Sequence, residues 1–417
     1  MARSTALEMG LLGLILSGSL AFAGQAQTSS AISVETARSY FKEADSMCQM
    51  DQGRLWGASL CGPIMFVDPP SRFIVANQAD ADGALEAQNG VFVGKLPLAQ
   101  NVANTAVVWS GVHWTQIQWP LPEDGNQRRT LIAHELFHRI QSQLKLPQLK
   151  GGDNQHLDSL DGRYYLQLEW RALAHALQDT TVAARKVAAV DAILFRAARY
   201  ILFPQAMGQE QVLELNEGLA EYTGVKVGNS SPDEQMRAAL RDLEVHTSDS
   251  TFVRSFAYAT GPAYGLLLDM YAPSWRKLIL IGERIDAVLQ KALSINIPSN
   301  LQAAAKDSAQ KYDGESLWAS ETEREAKRRQ IIASYRAKFI DGTVLILPLR
   351  HMNVQFDPRS LQPLGDAVTV YPAMRITDDW GILDAKNGAL MKSDWSAVIV
   401  SAPATMTASR AMDGLLN

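Results

Sequence analysis

The spacing of hydrophobic residues divides the chain into a β-like part, a helical part and a second β-like part. Between Pro63 and about Pro122, short apolar and β-branched runs such as IMFV, GVFVG and TAVVWS alternate with turn sequences such as DPPS, DADG and PEDG. This alternation is typical of a small sheet. We therefore predict a β-rich region at residues 63–122, preceded by a short helix at residues 31–50.

From about Arg128 to about Ile340, the apolar residues mostly recur at helical spacing. The stretch from Ser231 to Glu234 has the form of a capping box with proline at the first helical position. In the last predicted helix, the many charged residues indicate a face exposed to solvent. Helices are predicted at residues 128–146, 163–178, 181–203, 209–225 and 315–340.

From Gly342 onwards the pattern becomes β-like again, with runs such as TVLILPL and SAVIVSA separated by proline and glycine. The sequence thus predicts an α+β fold with two units. The first, at residues 27–340, has a small sheet followed by a mainly helical region at 128–340. The second is a small β-rich C-terminal module at residues 341–417.

The N-terminus has the features of a secretory signal peptide. Arg3 is followed by an apolar or small-residue stretch from Met9 to Ala23, which ends in the A-x-A pattern Ala21-Phe22-Ala23. We predict a signal peptide at residues 1–26; the alternative is an uncleaved membrane anchor. Since no later segment is long and apolar enough to span a membrane, we expect an exported protein, in the periplasm or the extracellular space.

Composition narrows the classes of partner. The chain has 417 residues, of which 47% are hydrophobic, and a formal net charge of −5. This charge gives no reason to expect nucleic acid or an anionic membrane surface as a partner. The two cysteines, Cys48 and Cys61, predict a disulfide if the chain meets an oxidising compartment; the alternative is a pair of buried thiols.

The candidate chemistry lies in the segment HELFH, residues His134 to His138. On a helix, residues four apart share a face, so His134 and His138 can bind one metal ion together. Glu135 then lies beside the metal and can act as a general base. Imidazole is a good ligand for Zn²⁺, and a catalytic zinc keeps one position open. The sequence therefore predicts a zinc site that needs a third protein ligand.

The third ligand is left open between two glutamates. The continuation RIQSQLKLPQL lacks the glycine and third histidine of the metzincins. In the gluzincin plan, a later helix supplies a glutamate instead. Glu217, in LNEGLAEYTG, and Glu169, in LQLEWRALAHAL, are the candidates. The alternative role of Glu169 is structural, as a buried glutamate paired with an arginine.

The segment around Glu217 resembles two gluzincin metallopeptidase families. Asn216-Glu217-x-x-Ala220-Glu221 resembles the N-E-x-x-x-D/E pattern of thermolysin-like proteases, and LNEGLAEY is similar to the NEGFA-type segment of alanyl-aminopeptidase-type enzymes. The resemblance implies a zincin-like core with Glu217 as a zinc ligand. It also places Asn216 and Glu221 in the shell around the ligands, where Glu221 orients a ligating histidine. The long gap after His138 departs from the aminopeptidases; an inserted helical hairpin, roughly residues 163–203, would account for it.

A weaker resemblance concerns the oxyanion. Tyr258-x-x-Gly261 resembles the Y-x-K-G segment of the aminopeptidases, with threonine in place of the lysine. It implies that Tyr258 donates a hydrogen bond to the oxyanion of the tetrahedral intermediate; Tyr264 is a rival. The implied function is that of an exported zinc metallohydrolase, most simply a peptidase with a peptide or protein substrate. The alternative is an exported interaction or scaffold protein with an inactive zincin fold.

Overall fold

The computed structural model describes residues 32–147, 149, 151–356, 361–364 and 368–402. The predicted signal peptide at residues 1–26 lies outside these residues. Over the described part, the chain has a mixed α and β structure with a helical core and a C-terminal β module, as the hydrophobic pattern predicts. Among the described residues, no helix combines the length and the hydropathy that crossing a membrane requires.

The N-terminal sheet has six strands in the order β3-β4-β2-β1-β6-β5. β1 and β6 are parallel, and the other neighbouring pairs are antiparallel. β5 therefore forms one edge of the sheet, and no further described strand pairs with it. The strands are β1 (Ile64–Val67), β2 (Phe73–Ala76), β3 (Glu86–Gln88), β4 (Val91–Lys95), β5 (Thr105–Trp109) and β6 (Val112–Gln118).

Twelve α-helices are described. The predicted helix at 209–225 is α5 and α6 joined by a π-helical turn, Glu214–Gly218. The predicted capping box is present, with both of its hydrogen bonds, at the start of α7. The helices are α1 (Val34–Asp51), α2 (Gly125–Gln141), α3 (Leu160–Gln178), α4 (Val182–Leu202), α5 (Ala206–Leu213), α6 (Leu219–Gly228), α7 (Pro232–Val245), α8 (Ser255–Tyr271), α9 (Trp275–Leu280), α10 (Ile285–Ala292), α11 (Leu301–Ala309) and α12 (Gly314–Phe339).

Two glycines allow α6 to lie directly against α2, the helix that carries HELFH. A Cβ atom at Gly224 would lie 2.6 Å from the carbonyl oxygen of Thr130, and one at Gly228 would lie 2.6 Å from the Thr130 nitrogen. Only glycine fits at such a close approach of two backbones. The contact holds α6, and the turn that precedes it, beside the two histidines of α2.

The disulfide between Cys48 and Cys61 is present, so the alternative of two buried thiols is wrong. The loop that it closes is attached to both helices of the contact above. Trp56 Nε1 donates to Thr223 Oγ1 on α6 at 2.9 Å. On α2, Arg139 Nη2 donates to the carbonyl oxygens of Leu60 at 3.0 Å and Cys61 at 2.9 Å.

The expectation that the charges of α12 face solvent is wrong for two of its glutamates. Glu321 and Glu325 are each only 5% exposed. Glu321 Oε2 lies 3.1 Å from Nε of Arg163 on α3, and Glu325 pairs with Arg328 and Arg329. A carboxylate can be buried when arginines neutralise it, and the sequence alone does not show that α3 supplies one.

The C-terminal module has two antiparallel sheets, of five strands in the order β7-β14-β13-β10-β9 and of three in the order β12-β11-β8. It packs on the end of α12, where Phe339 joins an apolar cluster with Leu364, Val370 and Leu390. The strands are β7 (Val344–Pro348), β8 (Asn353–Phe356), β9 (Gln362–Pro363), β10 (Val368–Tyr371), β11 (Met374–Asp378), β12 (Gly381–Ala385), β13 (Ala389–Lys392) and β14 (Ala397–Ser401).

One carboxylate of the N-terminal region predicts a pH-dependent contribution to stability. Burial alone would raise the pKa of Asp80, but hydrogen bonds from the Ser110 hydroxyl and from the backbone N–H groups of Ala84 and Leu85 outweigh it and lower the pKa to about 2. Because the folded-state pKa is below the unfolded value, this stabilisation is present above about pH 4 and is lost as the pH falls towards 2. Asp80→Asn should therefore lower the free energy of unfolding by about 1–2 kcal/mol at pH 7.

Urea unfolding at pH 7 and at pH 2.5 measures this effect. The difference between Asp80→Asn and the unsubstituted protein should shrink at the lower pH. Asp307→Asn is a suitable control, since this aspartate on α11 is exposed. An equal loss at both pH values for Asp80→Asn would contradict the assignment.

Candidate metal centre

The two histidines of HELFH meet on one face of α2. The helix begins after Asp124, whose side chain accepts a hydrogen bond from the Gln127 N–H at 2.8 Å. The Nε2 atoms of His134 and His138 lie 3.0 Å apart. Their side chains are only 5% and 15% exposed. The spacing of four residues therefore gives the convergence of imidazoles that the sequence predicts.

Glu217 brings a carboxylate oxygen to the same point. Its Oε2 lies 3.5 Å from His134 Nε2 and 3.4 Å from His138 Nε2. A tetrahedral zinc with bonds of about 2.0–2.1 Å has neighbouring ligand atoms about 3.3–3.4 Å apart. At distances of 3.0, 3.4 and 3.5 Å from one another, the three atoms form a group that could hold one metal ion. The donor set of two imidazoles and one carboxylate is also one that zinc accepts.

Glu169, the other candidate ligand, has different partners. Its Oε1 accepts from Arg196 Nε at 2.6 Å and from the Tyr264 hydroxyl at 2.7 Å. Its Oε2 accepts from Arg199 Nη1 at 2.7 Å. The side chain is fully buried in this ion-pair network, and the group of potential metal ligands formed by the histidines contains Glu217 instead. This is the arginine-paired arrangement that the sequence left open for Glu169.

Each histidine is oriented through its other ring nitrogen. His134 Nδ1 donates to Glu221 Oε2 at 2.7 Å, and His138 Nδ1 donates to Gln141 Oε1 at 3.1 Å. Gln141 Nε2 in turn donates to the carbonyl oxygen of Leu215, in the turn that carries Glu217, at 3.1 Å. Such partners fix the tautomer that leaves Nε2 free to bind a metal. Sequence reasoning found Glu221 but missed Gln141, one turn beyond His138.

Glu135 is buried beside these ligands. The residue is only 4% exposed, and its Oε2 has no hydrogen-bond partner among the described residues. Burial raises the pKa of its carboxyl, an effect that the two histidines only partly oppose. A buried carboxylate with an unused acceptor is suited to take a proton from a nearby group.

Tyr258 and Arg254, on one face at the start of α8, contact Glu217. The Tyr258 hydroxyl donates to Glu217 Oε2 at 2.7 Å, and Arg254 Nη2 donates to Oε1 at 3.1 Å. The ring of Tyr258 stacks on that of His134, with centroids 5.6 Å apart. Burial and the Glu217 carboxylate both raise the pKa of Tyr258, so the phenol stays a donor at neutral pH. The rival, Tyr264, donates to Glu169 instead.

Asn216 and His246 complete the surroundings. Asn216 Nδ2 donates to Glu217 Oε1 at 3.3 Å, so it contacts the carboxylate as the resemblance implies. The ring of His246 lies 6.0 Å from that of Tyr258, and its Nδ1 is 2.7 Å from Asp249 Oδ2. Neither Arg254 nor His246 belongs to a recognisable local pattern, so the sequence does not indicate them.

The electrostatics of the three converging side chains favour a cation. Burial opposes protonation of His134, but hydrogen bonds to Glu217 and Glu221 outweigh it and raise the pKa to about 10. Contacts with both histidines and with Tyr258 outweigh burial at Glu217 and lower its pKa. These shifts mean that the three side chains stabilise a bound positive charge. A metal ion must therefore displace a proton to bind there.

A cavity of about 680 Å³ opens on this group. One wall is α2 with Leu131, and another is the chain entering and forming β5, including Asn104, Thr105 and Ala106. Arg254 and Asn216 also line it. Its volume is in the range of small-molecule and peptide side-chain sites. Glu135 and the histidines therefore line a cavity that also borders the edge of the sheet.

Comparison with known proteins adds no assignment. No protein-family model matches the chain, and searches of curated proteins and of solved structures found no match either.

Proposed function

We propose that this protein is an exported zinc-dependent hydrolase of the gluzincin type, most simply a peptidase. The observation that carries the proposal is the meeting of His134, His138 and Glu217 at zinc-ligand distances. Glu135 beside them, with a buried oxygen that lacks a partner among the described residues, supplies the base. The disulfide is compatible with an oxidising compartment.

The residues have distinct roles in this reaction. Zinc, when bound by His134, His138 and Glu217, lowers the pKa of water and polarises a carbonyl group. Glu135 accepts the proton of the attacking water as the oxygen–carbon bond forms. The same carboxyl then donates that proton to the leaving nitrogen as the carbon–nitrogen bond breaks. Tyr258, released from Glu217, donates a hydrogen bond to the developing oxyanion.

The test is metal content measured by elemental mass spectrometry on the mature protein after zinc loading and desalting. We expect about one zinc per chain, and nearly complete loss of zinc in His138→Ala and in Glu217→Ala, because each removes a ligand. His351→Ala and Glu323→Ala are matched controls, since both residues are exposed and far along the chain from the site. They should keep the zinc.

Two outcomes would overturn the proposal. The first is an unsubstituted protein that holds no zinc after loading. The second is equal zinc in all four variants, which would mean that the metal binds elsewhere. If the protein binds zinc but hydrolyses no peptide, the result would favour the alternative of an exported scaffold protein.

A further inference from the structure

The turn that carries Glu217 is wider than an α-helical turn. Residues Glu214–Gly218 form a π-helical turn in which the Leu219 N–H donates to the carbonyl oxygen of Glu214, five residues earlier. Such insertions are uncommon and occur frequently at functional sites. Because the wide turn holds an extra residue, the side chains of Glu214 and Glu217 diverge. The side chain of Glu214 reaches into the core, and that of Glu217 reaches the two histidines.

Glu214 ties this turn to a buried network. Its Oε1 accepts from Arg196 Nη2 at 2.7 Å, and Arg196 Nε donates to Glu169 at 2.6 Å. Glu169 also accepts from Arg199, which in turn binds Glu210. The side chains of these residues are at most 2% exposed. The turn is thereby connected to α3, α4 and α5 through ionic contacts.

On its other side the turn touches the backbone of α8. A Cβ atom at Gly261 would lie 2.2 Å from the carbonyl oxygen of Gly218, and one at Gly218 would lie 3.3 Å from the carbonyl oxygen of Ala257. This contact fixes the distance of the turn from α8. It does not fix how the turn is wound, because the contact involves only small backbone groups. The winding is fixed instead by the side chain of Glu214, which accepts a hydrogen bond from Arg196.

We infer that Glu214, held by Arg196, is a positioning residue that keeps the π-helical turn wound so that Glu217 reaches the metal. This inference rests on the proposed function. Buried ion pairs contribute little net stability compared with apolar residues of the same shape, and a structural role is one reason for their retention. Breaking the tie lets the turn relax towards the narrower α-helical winding, which moves Glu217 relative to both histidines.

The ion pair between Glu214 and Arg196 can be removed without leaving the Arg196 guanidinium unpaired. In Glu214→Ala, Arg196 keeps its ion pair with Glu169 and has Asp286 at 3.8 Å. Burial raises the pKa of Glu214 to about 7, against the attraction of Arg196. With a neutral residue at this position, Arg196 still pairs with Glu169. Glu214→Gln keeps an oxygen that can accept from Arg196 and serves as the conservative variant.

Asp191→Ala is the matched control. Asp191 is a buried carboxylate on α4, the helix of Arg196, but it accepts from Ser308, Lys311 and Tyr312, away from the metal ligands. Its loss breaks a buried polar cluster of similar kind. A general loosening of the helical core would therefore affect Asp191→Ala and Glu214→Ala alike.

The experiment measures the dissociation constant of Zn²⁺ by competition with a chelating indicator. It is accompanied by the visible absorption spectrum of the Co²⁺-substituted protein and the thermal midpoint of the apoprotein. We expect Glu214→Ala to weaken zinc binding by about 10–100-fold and to change the Co²⁺ spectrum. Glu214→Gln should restore most of the affinity, and Asp191→Ala should leave affinity and spectrum unchanged whatever it does to the midpoint.

The outcomes separate this inference from the proposed function. If the unsubstituted protein binds zinc but Glu214→Ala has the same affinity and Co²⁺ spectrum, Glu214 is not a positioning residue and the proposed function stands. If Asp191→Ala weakens zinc binding as much as Glu214→Ala does, the effect is general and the inference is also overturned. A protein without zinc overturns both.

Discussion

Glu135→Gln should abolish peptide hydrolysis while leaving zinc in place. Glutamine has the shape of glutamate but cannot take the proton from water, and loss of a general base typically lowers the rate by about 10²–10⁴-fold. Zinc should be retained because the proposed ligands, His134, His138 and Glu217, are unchanged. Stability should not fall, since burial raises the pKa of Glu135 and its Oε2 has no partner among the described residues to lose.

Cleavage of a fluorogenic peptide library, measured beside zinc content and thermal midpoint, tests this expectation. The Glu323→Ala variant is the control for activity, because Glu323 is exposed and its ion pair is with Lys327 on the same helix. A Glu135→Gln protein that hydrolyses peptides at the unsubstituted rate would remove Glu135 from the mechanism. Loss of zinc in this variant would instead show that Glu135 helps to hold the metal.

Glu169→Ala should be among the most destabilising single substitutions in the chain. It leaves Arg196 and Arg199, which are 1% and 0% exposed, without the carboxylate that joins them. Removing one partner of a buried ion pair typically lowers the free energy of unfolding by about 3–5 kcal/mol. The Tyr264 hydroxyl also loses its acceptor. We expect much of this variant to be unfolded or insoluble.

Urea unfolding gives the size of this effect. Glu323→Ala is again the control, since an exposed pair within one helix contributes about 0.3–0.5 kcal/mol. Glu169→Ala that unfolds at the same urea concentration as Glu323→Ala would contradict the buried network. The result also bears on metal analysis, because zinc lost from an unfolded Glu169→Ala protein says nothing about ligation. Only the folded fraction of this variant should be assayed for zinc.

The parts of the site that the sequence could predict are local. His134 and His138 are four residues apart on one helix, so their meeting follows from helix geometry alone. Glu217 lies on another helix, and only the resemblance of its flanking residues to known motifs indicated it. The spacing along the chain favours Glu169 instead, because the gap from His138 to Glu217 is longer than in the aminopeptidases.

The remaining features depend on which helices pack together. Arg196 and Arg199 are ordinary members of an amphipathic helix in the sequence. Their burial depends on carboxylates that α3, α5 and the π-helical turn bring to them. The π-helical turn reads in the sequence as an unbroken helix, because a single extra residue leaves the hydrophobic pattern almost unchanged. The burial of Glu321 on α12 was missed because its partner Arg163 comes from α3, a distant segment of the chain.

The disulfide loop connects the candidate metal site to the oxidation state of Cys48 and Cys61. Arg139 is the neighbour of His138, and its guanidinium donates to carbonyl groups at the end of the loop closed by Cys48 and Cys61. In a chain folded under reducing conditions, the loop ends can separate and this buried guanidinium loses its acceptors. The end of α2 that presents His138 is then poorly supported. Under the proposed function, oxidation of the two cysteines should therefore precede tight zinc binding, and the reduced protein should bind zinc more weakly than the oxidised protein.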